Sequence, residues 1–223
     1  MTSVIRTDRR TVLSSMLVLG AAGAGYGPAA AQSGASALNL AMVAEPPTLD
    51  IQSTPADLVC IIMQHVFEPL YTFDAKAALV PMLAESMPKI SADGKSYAIT
   101  LRKGVKLHSG RDLNADDVVA SLKRWMEVSP RGKAVSAQVA DIVAKGPLNV
   151  GISLKNAYAP LLSQLAMASG MAAIMAKETL AQPLREFVGT GPYKFKERRP
   201  DQYVLLTRFD AYAARSEAPS GYG

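Results

Sequence analysis

The stretch from residue 90 to residue 126 constrains the fold of this chain more than any other part of the sequence. An Asp-Gly dipeptide stands at 93–94, and this pair strongly favours a tight turn between two antiparallel strands. The residues that follow alternate apolar and polar side chains, and the apolar set is Tyr97, Ile99 and Leu101. Period-two alternation is typical of a strand that buries one face. The sequence therefore predicts a hairpin packed against a core.

A helix is predicted to begin after Asn114, a residue type that caps helix N-termini with its side-chain oxygen. Asp116 and Asp117 fall in the first turn, where the helix dipole favours negative charge. The apolar positions that follow share one face at helical spacing: Val118, Val119, Leu122, Trp125 and Met126. A hairpin followed by a one-sided helix indicates a fold of mixed α and β class.

The remaining periodic segments extend this mixed pattern along the chain. Strands are expected at 38–42, 71–73, 150–154, 172–175, 193–197 and 203–207, helices at 54–68 and 160–167, and breaks at 129–132 and 189–192. Hydrophobic residues make up 49% and charged residues 19% of the chain, which is ordinary for a globular protein. The net charge of +5 comes without a long Lys/Arg run, which argues against a nucleic-acid surface.

Residues 1–31 have the pattern of an export signal. Basic residues precede an apolar, Gly/Ala-rich stretch, and small residues at Ala29 and Ala31 suit cleavage after position 31. Arg9 and Arg10 stand directly before the apolar stretch, which favours the twin-arginine route. A general secretory signal with two adjacent arginines is the alternative. No cysteine stands at the cleavage site, so we expect a periplasmic protein that is not lipid-anchored.

Several ordered motifs resemble those of one known family. The most specific ones are Leu83-Ala84-Glu85-Ser86, Asp93-Gly94-Lys95-Ser96-Tyr97, the run from Leu101 to Gly110 and the run from Leu113 to Leu122. Further stretches match in order at 45–50, 67–71, 158–160 and 188–195. Together these motifs resemble extracellular solute-binding protein family 5, the peptide- and nickel-binding components of ABC importers.

The resemblance implies a periplasmic binding protein type II-like fold of α/β class, with two lobes that close on a ligand. It places the first lobe's N-terminal segment at 38–75, an inserted smaller domain at 76–185 and the first lobe's central segment at 186–212. Residues 213–223 are expected to be a loop or truncated end. On this basis the chain holds an incomplete first lobe, which presents an exposed half-site.

The function implied by the resemblance is capture of oligopeptides or dipeptides in the periplasm, for delivery to the permease and ATPase subunits of an importer. The same resemblance implies a monomer that needs no cofactor of its own. Alternative solutes are a nickel chelate, haem, an opine or an oligosaccharide, and the chain is alternatively a nonfunctional truncated remnant. A secreted hydrolase is disfavoured, because two histidines, one cysteine and no nucleophile elbow offer no catalytic arrangement.

The candidate ligand-binding residues are Glu45, Pro46, Pro47 and Thr48, because the matching loop of relatives lies along the cleft. The Gly-Thr-Gly turn at 189–191 lies near the lobe junction in relatives. A phosphate site at such a turn needs a following helix. Because strand-like residues follow here instead, a structural turn is expected.

Other polar and sulfur-containing residues are expected to be structural. His65 and Glu68 stand at i and i+3 on a predicted helix, a spacing that could share a metal ion. Two ligands are too few for a site, so no metal is expected. His108 is expected to pack or cap within its loop, Cys60 to be a small core residue, and Trp125 to belong to the core.

Overall fold

The structure of the protein is a computed structural model that describes residues 37–217. Within that range the helices are α1 Asp57–Met63, α2 Ala115–Val128, α3 Pro130–Ser136 and α4 Leu161–Ala166, with a 3-10 turn at Lys177–Thr179. The strands are β1 Tyr71–Phe73, β2 Leu79–Pro81, β3 Lys89–Ile90, β4 Ser96–Thr100, β5 Val139–Ala144, β6 Asn149–Leu154, β7 Tyr193–Arg199 and β8 Tyr203–Arg208. The described part of the chain thus mixes helix and strand, which confirms the predicted class.

One sheet has four antiparallel strands in the order β3-β4-β6-β5. β3 and β4 form the predicted hairpin, in which Gly94 adopts a φ of +67° that glycine tolerates without steric cost. Tyr97 on β4 lies opposite Ile152 on β6. The predicted burial of Tyr97, Ile99 and Leu101 is confirmed, because their exposed fractions are 6%, 1% and 0%.

Helix α2 begins at the residue predicted from the sequence. The side-chain oxygen of Asn114 accepts hydrogen bonds from the backbone N–H groups of Asp116 and Asp117, at 3.0 and 3.2 Å. In return the Asp117 carboxylate accepts from the Asn114 backbone N–H at 3.0 Å, which completes a capping box. The helix buries its predicted apolar face through Val118, Leu122 and Trp125.

Asp117 also ties the start of α2 to more distant parts of the chain. Its carboxylate pairs with Arg111 at 2.7 Å and accepts from the Lys177 backbone N–H at 3.1 Å. Burial opposes ionisation of this carboxyl. The hydrogen bonds from Arg111, Lys177 and Asn114 outweigh burial and lower the pKa of Asp117. The helix start is therefore held by charge as well as by capping.

Residues 171–176 form an extended segment that separates two apolar cores. Its even-numbered residues, from Ala172 to Ala176, pack into the core between α2 and the four-stranded sheet. Its odd-numbered residues, from Met171 to Met175, pack into the core around α1. Burial on both faces explains why this stretch of sequence is continuously apolar.

The strand predicted at 172–175 is nevertheless reduced to one isolated antiparallel β-bridge, between Ile174 and Glu68. The N–H groups of residues 174–176 donate at 2.9 to 3.0 Å to three separate partners: the Glu68 carbonyl, the Ser121 hydroxyl and the Val188 carbonyl. A strand ladder needs one neighbouring strand along its length. Here the buried backbone N–H groups find acceptors although no neighbouring strand runs along the segment.

The predicted strand at 38–42 is wrong. These residues form neither helix nor strand, and the Leu38 and Leu40 side chains are 82% and 69% exposed. A strand is stable only when neighbouring backbone accepts and donates its hydrogen bonds. No strand within residues 37–217 pairs with this segment.

Helix α1 is shorter than the helix predicted at 54–68. The sequence favours Thr54 as the N-cap and Pro55 as the first helical residue. Ala56 takes the N-cap position instead, with extended backbone, so Pro55 precedes the helix. The Thr54 hydroxyl oxygen accepts from the Ala56 backbone N–H at 3.2 Å, a local turn in place of the expected cap. The helix ends at Met63, a turn follows at 64–66, and the chain is buried from Val66 to Tyr71.

The sequence pattern missed β2, β5 and α3. Helix α3 starts with Pro130 in its first turn, where the proline ring costs no hydrogen bond. The polar residues at 129–132 predict only a break between regular elements. In β5 only Ile142 is fully buried, so the strand lacks a clear alternating pattern. β7 and β8 confirm the strands predicted at 193–197 and 203–207 and pair with each other as an antiparallel hairpin, and β1 pairs with β2.

The export-signal residues Arg9, Arg10, Ala29 and Ala31 lie outside the described residues. Between residues 37 and 217, no helix combines the length and the apolar character that crossing a membrane requires. The segment boundaries that the family resemblance implies stay a prediction.

Candidate functional site

The candidate ligand-binding loop, residues 45–48, is held at its first residue by the β7–β8 hairpin. The Glu45 carboxylate accepts two hydrogen bonds from the Arg198 guanidinium, at 2.6 and 3.1 Å, and one from the Asp201 backbone N–H at 3.1 Å. Arg198 also donates to the Pro46 carbonyl at 2.8 Å. The hydrogen bonds from Arg198, followed by that from Asp201, hold the pKa of Glu45 below its ordinary value. These hydrogen bonds therefore fix the position of Glu45 at the start of the loop.

Short polar side chains fold the next residues into a turn. Thr48 Oγ1 accepts from the Asp50 backbone N–H at 3.1 Å, and Asp50 Oδ1 accepts from the Gln52 backbone N–H at 3.2 Å. The Ser53 hydroxyl donates to the Asp50 carbonyl at 2.9 Å. Side chains that bond the backbone two residues further on are typical of tight turns. The local sequence thus defines the backbone that follows the candidate loop.

Asp50 forms a buried ion pair with Arg124 of α2. Nη2 of Arg124 lies 2.6 Å from Oδ2 of Asp50, and the two side chains are 8% and 9% exposed. Arg124 also donates to Gln52 Oε1 at 2.7 Å and to the Ala181 carbonyl at 3.0 and 3.1 Å. Gln52 in turn donates to two backbone carbonyls at 2.9 and 3.1 Å. These hydrogen bonds offset the desolvation cost of burying the pair.

An open recess of about 310 Å³ lies beside this turn. It is lined by the polar residues Thr48, Asp50, Ser53 and Gln182 and by the apolar residues Val128, Pro183 and Leu184. The volume falls at the lower end of the range typical of small-molecule sites. Hydroxyl groups both donate and accept hydrogen bonds. The lining therefore offers hydrogen-bonding groups for the backbone of a small ligand and apolar surface for an apolar group.

The recess contains only part of the predicted ligand site. Thr48 lines it. Glu45 and Pro46 instead contact the β7–β8 hairpin, and Pro47 is exposed. The structure thus separates the predicted loop into an anchored half and a half that lines the recess.

Sequence reasoning missed Asp50, Arg124 and residues 182–184. The position of Arg124 could have been inferred from helical spacing. It stands seven residues after Asp117 and three after Ser121, so it lies on the same buried face of α2. A charged residue at a buried helical position needs a partner. Residues 182–184 carry no such signal, since their position beside Thr48 depends on packing of distant segments.

The residues considered for metal binding have other contacts. The His65 ring meets the Tyr193 ring edge-on with 6.0 Å between centroids. The Glu68 carboxylate accepts from the Tyr212 hydroxyl at 2.9 Å. Between residues 37 and 217, no three His, Cys, Asp or Glu side chains are grouped so that they could hold a metal ion. Cys60 is buried in the core around α1, which confirms its predicted place.

Similarity to known proteins agrees with this architecture. The family profile described as bacterial extracellular solute-binding proteins, family 5 Middle, matches residues 78–220. A probable peptide ABC transporter periplasmic-binding protein of Sinorhizobium fredii is 30% identical over 162 residues, covering 70% of this chain and 30% of that protein. The nickel-binding periplasmic protein of Escherichia coli is 29% identical over 154 residues, covering 66% and 29%. The chain spans less than a third of the length of these relatives.

A solved structure shows the same fold. The dipeptide binding protein from Pseudoalteromonas sp. SM9913 in complex with Met-Leu is similar with a TM-score of 0.69 and 29% identity. The similarity covers 77% of this chain and 39% of that one. The fold is therefore that of the periplasmic binding proteins, as the sequence motifs predict. Because the family profile also spans more than half of the chain, the chain belongs to the bacterial extracellular solute-binding proteins, family 5.

Proposed function

We propose that this chain is part of the solute-binding protein of an ABC importer and contributes a surface that binds short peptides. The observation that carries the proposal is the recess beside Thr48, which both polar and apolar side chains line. Its hydroxyl groups suit the backbone of an extended peptide, and its apolar residues suit one of the peptide's side chains. Such a surface holds a solute without transforming it.

The chemistry of the recess favours peptides over a nickel ion. The carboxylate of Asp50 is already paired with Arg124, so the recess offers no free charge to a cation. The Sinorhizobium fredii relative is described as a peptide transporter component, and the Pseudoalteromonas structure contains Met-Leu. The Escherichia coli relative is described as nickel-binding, so a nickel chelate is the alternative solute.

The proposal extends to location and partners. The relatives are described as periplasmic, which supports export of this chain. We propose that residues 1–31 direct this export and that Arg9 and Arg10 select the twin-arginine route. The protein then diffuses without a lipid anchor and delivers its solute to permease and ATPase subunits. In this arrangement residues 38–75 and 186–212 belong to the first lobe, and residues 76–185 to the inserted domain.

The experiment that tests the solute is an NMR titration of the ¹⁵N-labelled 223-residue chain with Met-Leu. A chain that supplies one side of a cleft binds weakly, and NMR detects affinities in the millimolar range, about 4 kcal/mol of binding free energy. We expect Met-Leu to shift the backbone amide signals of Thr48, Asp50, Ser53, Gln182 and Leu184. A parallel titration with a nickel–histidine chelate is expected to leave these signals unchanged.

A matched pair of variants locates the contact. Thr48→Val keeps the shape of the side chain and removes the hydroxyl from the recess, so it is expected to weaken Met-Leu binding. Thr72→Val makes the same change on β1, outside the recess, and is expected to bind like the unmodified chain. No shifts with Met-Leu, or shifts only with the nickel chelate, would overturn the peptide proposal.

A further inference from the structure

Both nitrogen atoms of the His108 ring contact backbone groups of the Gly189–Gly191 turn. Its Nε2 lies 2.9 Å from the Gly191 carbonyl oxygen, and its Nδ1 lies 3.3 Å from the Gly189 backbone nitrogen. A carbonyl can only accept and a backbone N–H can only donate a hydrogen bond. Both contacts are satisfied at once only when the ring is neutral and carries its proton on Nε2.

The Gly189–Gly191 turn is closely packed, so its backbone has little room to move. A Cβ atom on Gly189 would overlap the Val66 carbonyl oxygen, and one on Gly191 would lie 2.5 Å from the His65 carbonyl oxygen. The Gly191 N–H donates to the Val66 carbonyl at 3.0 Å, and the His108 backbone N–H donates to the Gly189 carbonyl at 2.9 Å. The turn therefore packs directly against backbone on one side and against His108 on the other.

The positive charge of Lys194 opposes protonation of His108. The Phe209 ring meets the imidazole edge-on with 5.0 Å between centroids, and Lys194 Nζ lies 4.9 Å from the centroid of the same Phe209 ring. Burial first, and then Lys194, lower the pKa of His108, although nearby backbone carbonyls favour the charged ring. On the loop of His108 itself, Lys106 and Asp112 pair with each other at 2.6 Å.

The remaining charged groups on the packed segments are engaged elsewhere. Asp210 pairs with Arg208 at 3.3 Å. Arg111 pairs with two carboxylates at 2.7 and 2.8 Å. Glu68 accepts from the Tyr212 hydroxyl at 2.9 Å, and burial raises the pKa of Glu68. None of these groups supplies a dedicated counter-ion for a charged His108.

We propose that protonation of His108 breaks its contact with the Gly189–Gly191 turn. The neutral ring thus stabilises the position of the β7–β8 hairpin, and acid removes this stabilisation. When Nδ1 carries a proton, it can no longer accept the hydrogen bond from the Gly189 N–H. The Nδ1–H and the Gly189 N–H are then two donors that point at each other. The hairpin follows the turn directly, because β7 starts at Tyr193. The same hairpin carries Arg198 and Asp201, which hold Glu45. Acidification thus loosens the anchor of the loop at 45–48.

The direction of the pH dependence follows from the neutral ring. A histidine whose folded-state pKa is lowered contributes stability above its ordinary pKa of about 6.5, and this stability is lost as the pH falls toward the folded-state pKa. One proton is taken up on opening. The population of the open turn therefore rises by up to about tenfold per pH unit below about pH 6.5.

The test is amide hydrogen exchange of the unmodified 223-residue chain between pH 8 and pH 5, corrected for the intrinsic pH dependence of exchange. We expect protection of the Gly189 amide to fall by up to about tenfold per pH unit below about pH 6.5, while amides of β6 stay protected. Ring ¹⁵N shifts recorded on the same samples identify the tautomer of His108 and the pH at which it titrates.

The chain contains two histidines, so two variants separate their effects. His108→Gln offers one donor and one acceptor without titrating, and is expected to remove the pH dependence of Gly189 protection. His65→Gln is expected to retain it. Gly189 protection that stays constant while His108 titrates in the unmodified chain would overturn the proposal, as would loss of the effect in His65→Gln. These two readouts decide the question even if His108→Gln does not fold.

Discussion

At the scale of single residues, the Asp50–Arg124 ion pair connects the candidate site to helix α2. Both side chains are almost fully buried, and both make further hydrogen bonds, Arg124 to Gln52 and Ala181. A buried pair of this kind gives little net stability compared with apolar residues of similar volume. Removal of one partner is costly, because the other charge is left buried without compensation. The turn beside the recess thus depends on both charges together.

Arg124→Met tests this dependence. The substitution leaves the Asp50 carboxylate buried and unpaired, so we expect the free energy of unfolding to fall by about 3–5 kcal/mol. Urea denaturation measures the change. The control is Lys123→Met, which introduces the same side chain at the neighbouring, exposed position of α2 and is expected to change stability by less than about 0.5 kcal/mol. Equal stability of the two variants would refute the assigned role of the pair.

The candidate site could be predicted from sequence only where single residues determine local structure. Thr48 was identified by its place in a family motif, and it does line the recess. Glu45 was identified in the same way, but its carboxylate is occupied by Arg198, which lies 153 positions further along the chain. No pattern within ten or twenty residues of Glu45 could reveal that partner.

At the scale of elements, prediction succeeded where the signal is local. The β3–β4 hairpin follows from the Asp-Gly turn, and the start of α2 follows from the Asn114 cap, since both depend on residues a few positions apart. It failed at 38–42, and at 172–175 only one isolated bridge takes the place of the strand. An apolar extended segment looks the same in sequence whether its hydrogen bonds go to one strand, to three scattered partners or to none.

The Gly-Thr-Gly turn is an element-scale feature with a specific requirement for small residues. Gly189→Ala would place a methyl group in overlap with the Val66 carbonyl oxygen, so the backbone must move. We expect a loss of about 1–3 kcal/mol in the free energy of unfolding, the usual cost of overpacking. Thermal or urea denaturation gives the value. Lys196→Ala, at an exposed position of the adjacent β7, is the control, and a loss as large as that of Gly189→Ala would contradict the packing argument.

At the scale of the whole molecule, the recess depends on segments far apart in sequence. Residues 48–53, the end of α2 and residues 182–184 supply its walls. The buried Arg124 joins the first and last of these, since it bonds Asp50 on one side and the Ala181 carbonyl on the other. The central claim is that this recess receives the solute.

The most direct test fills the recess and measures the dissociation constant for Met-Leu by NMR. Val128→Trp places a large ring in the apolar wall, whereas Val143→Trp makes the same change on β5, outside the recess. We predict that Val128→Trp weakens Met-Leu binding by at least about tenfold, or about 1.4 kcal/mol, and that Val143→Trp leaves it unchanged. Undiminished Met-Leu binding by a folded Val128→Trp chain would contradict the assignment of the recess as the solute site.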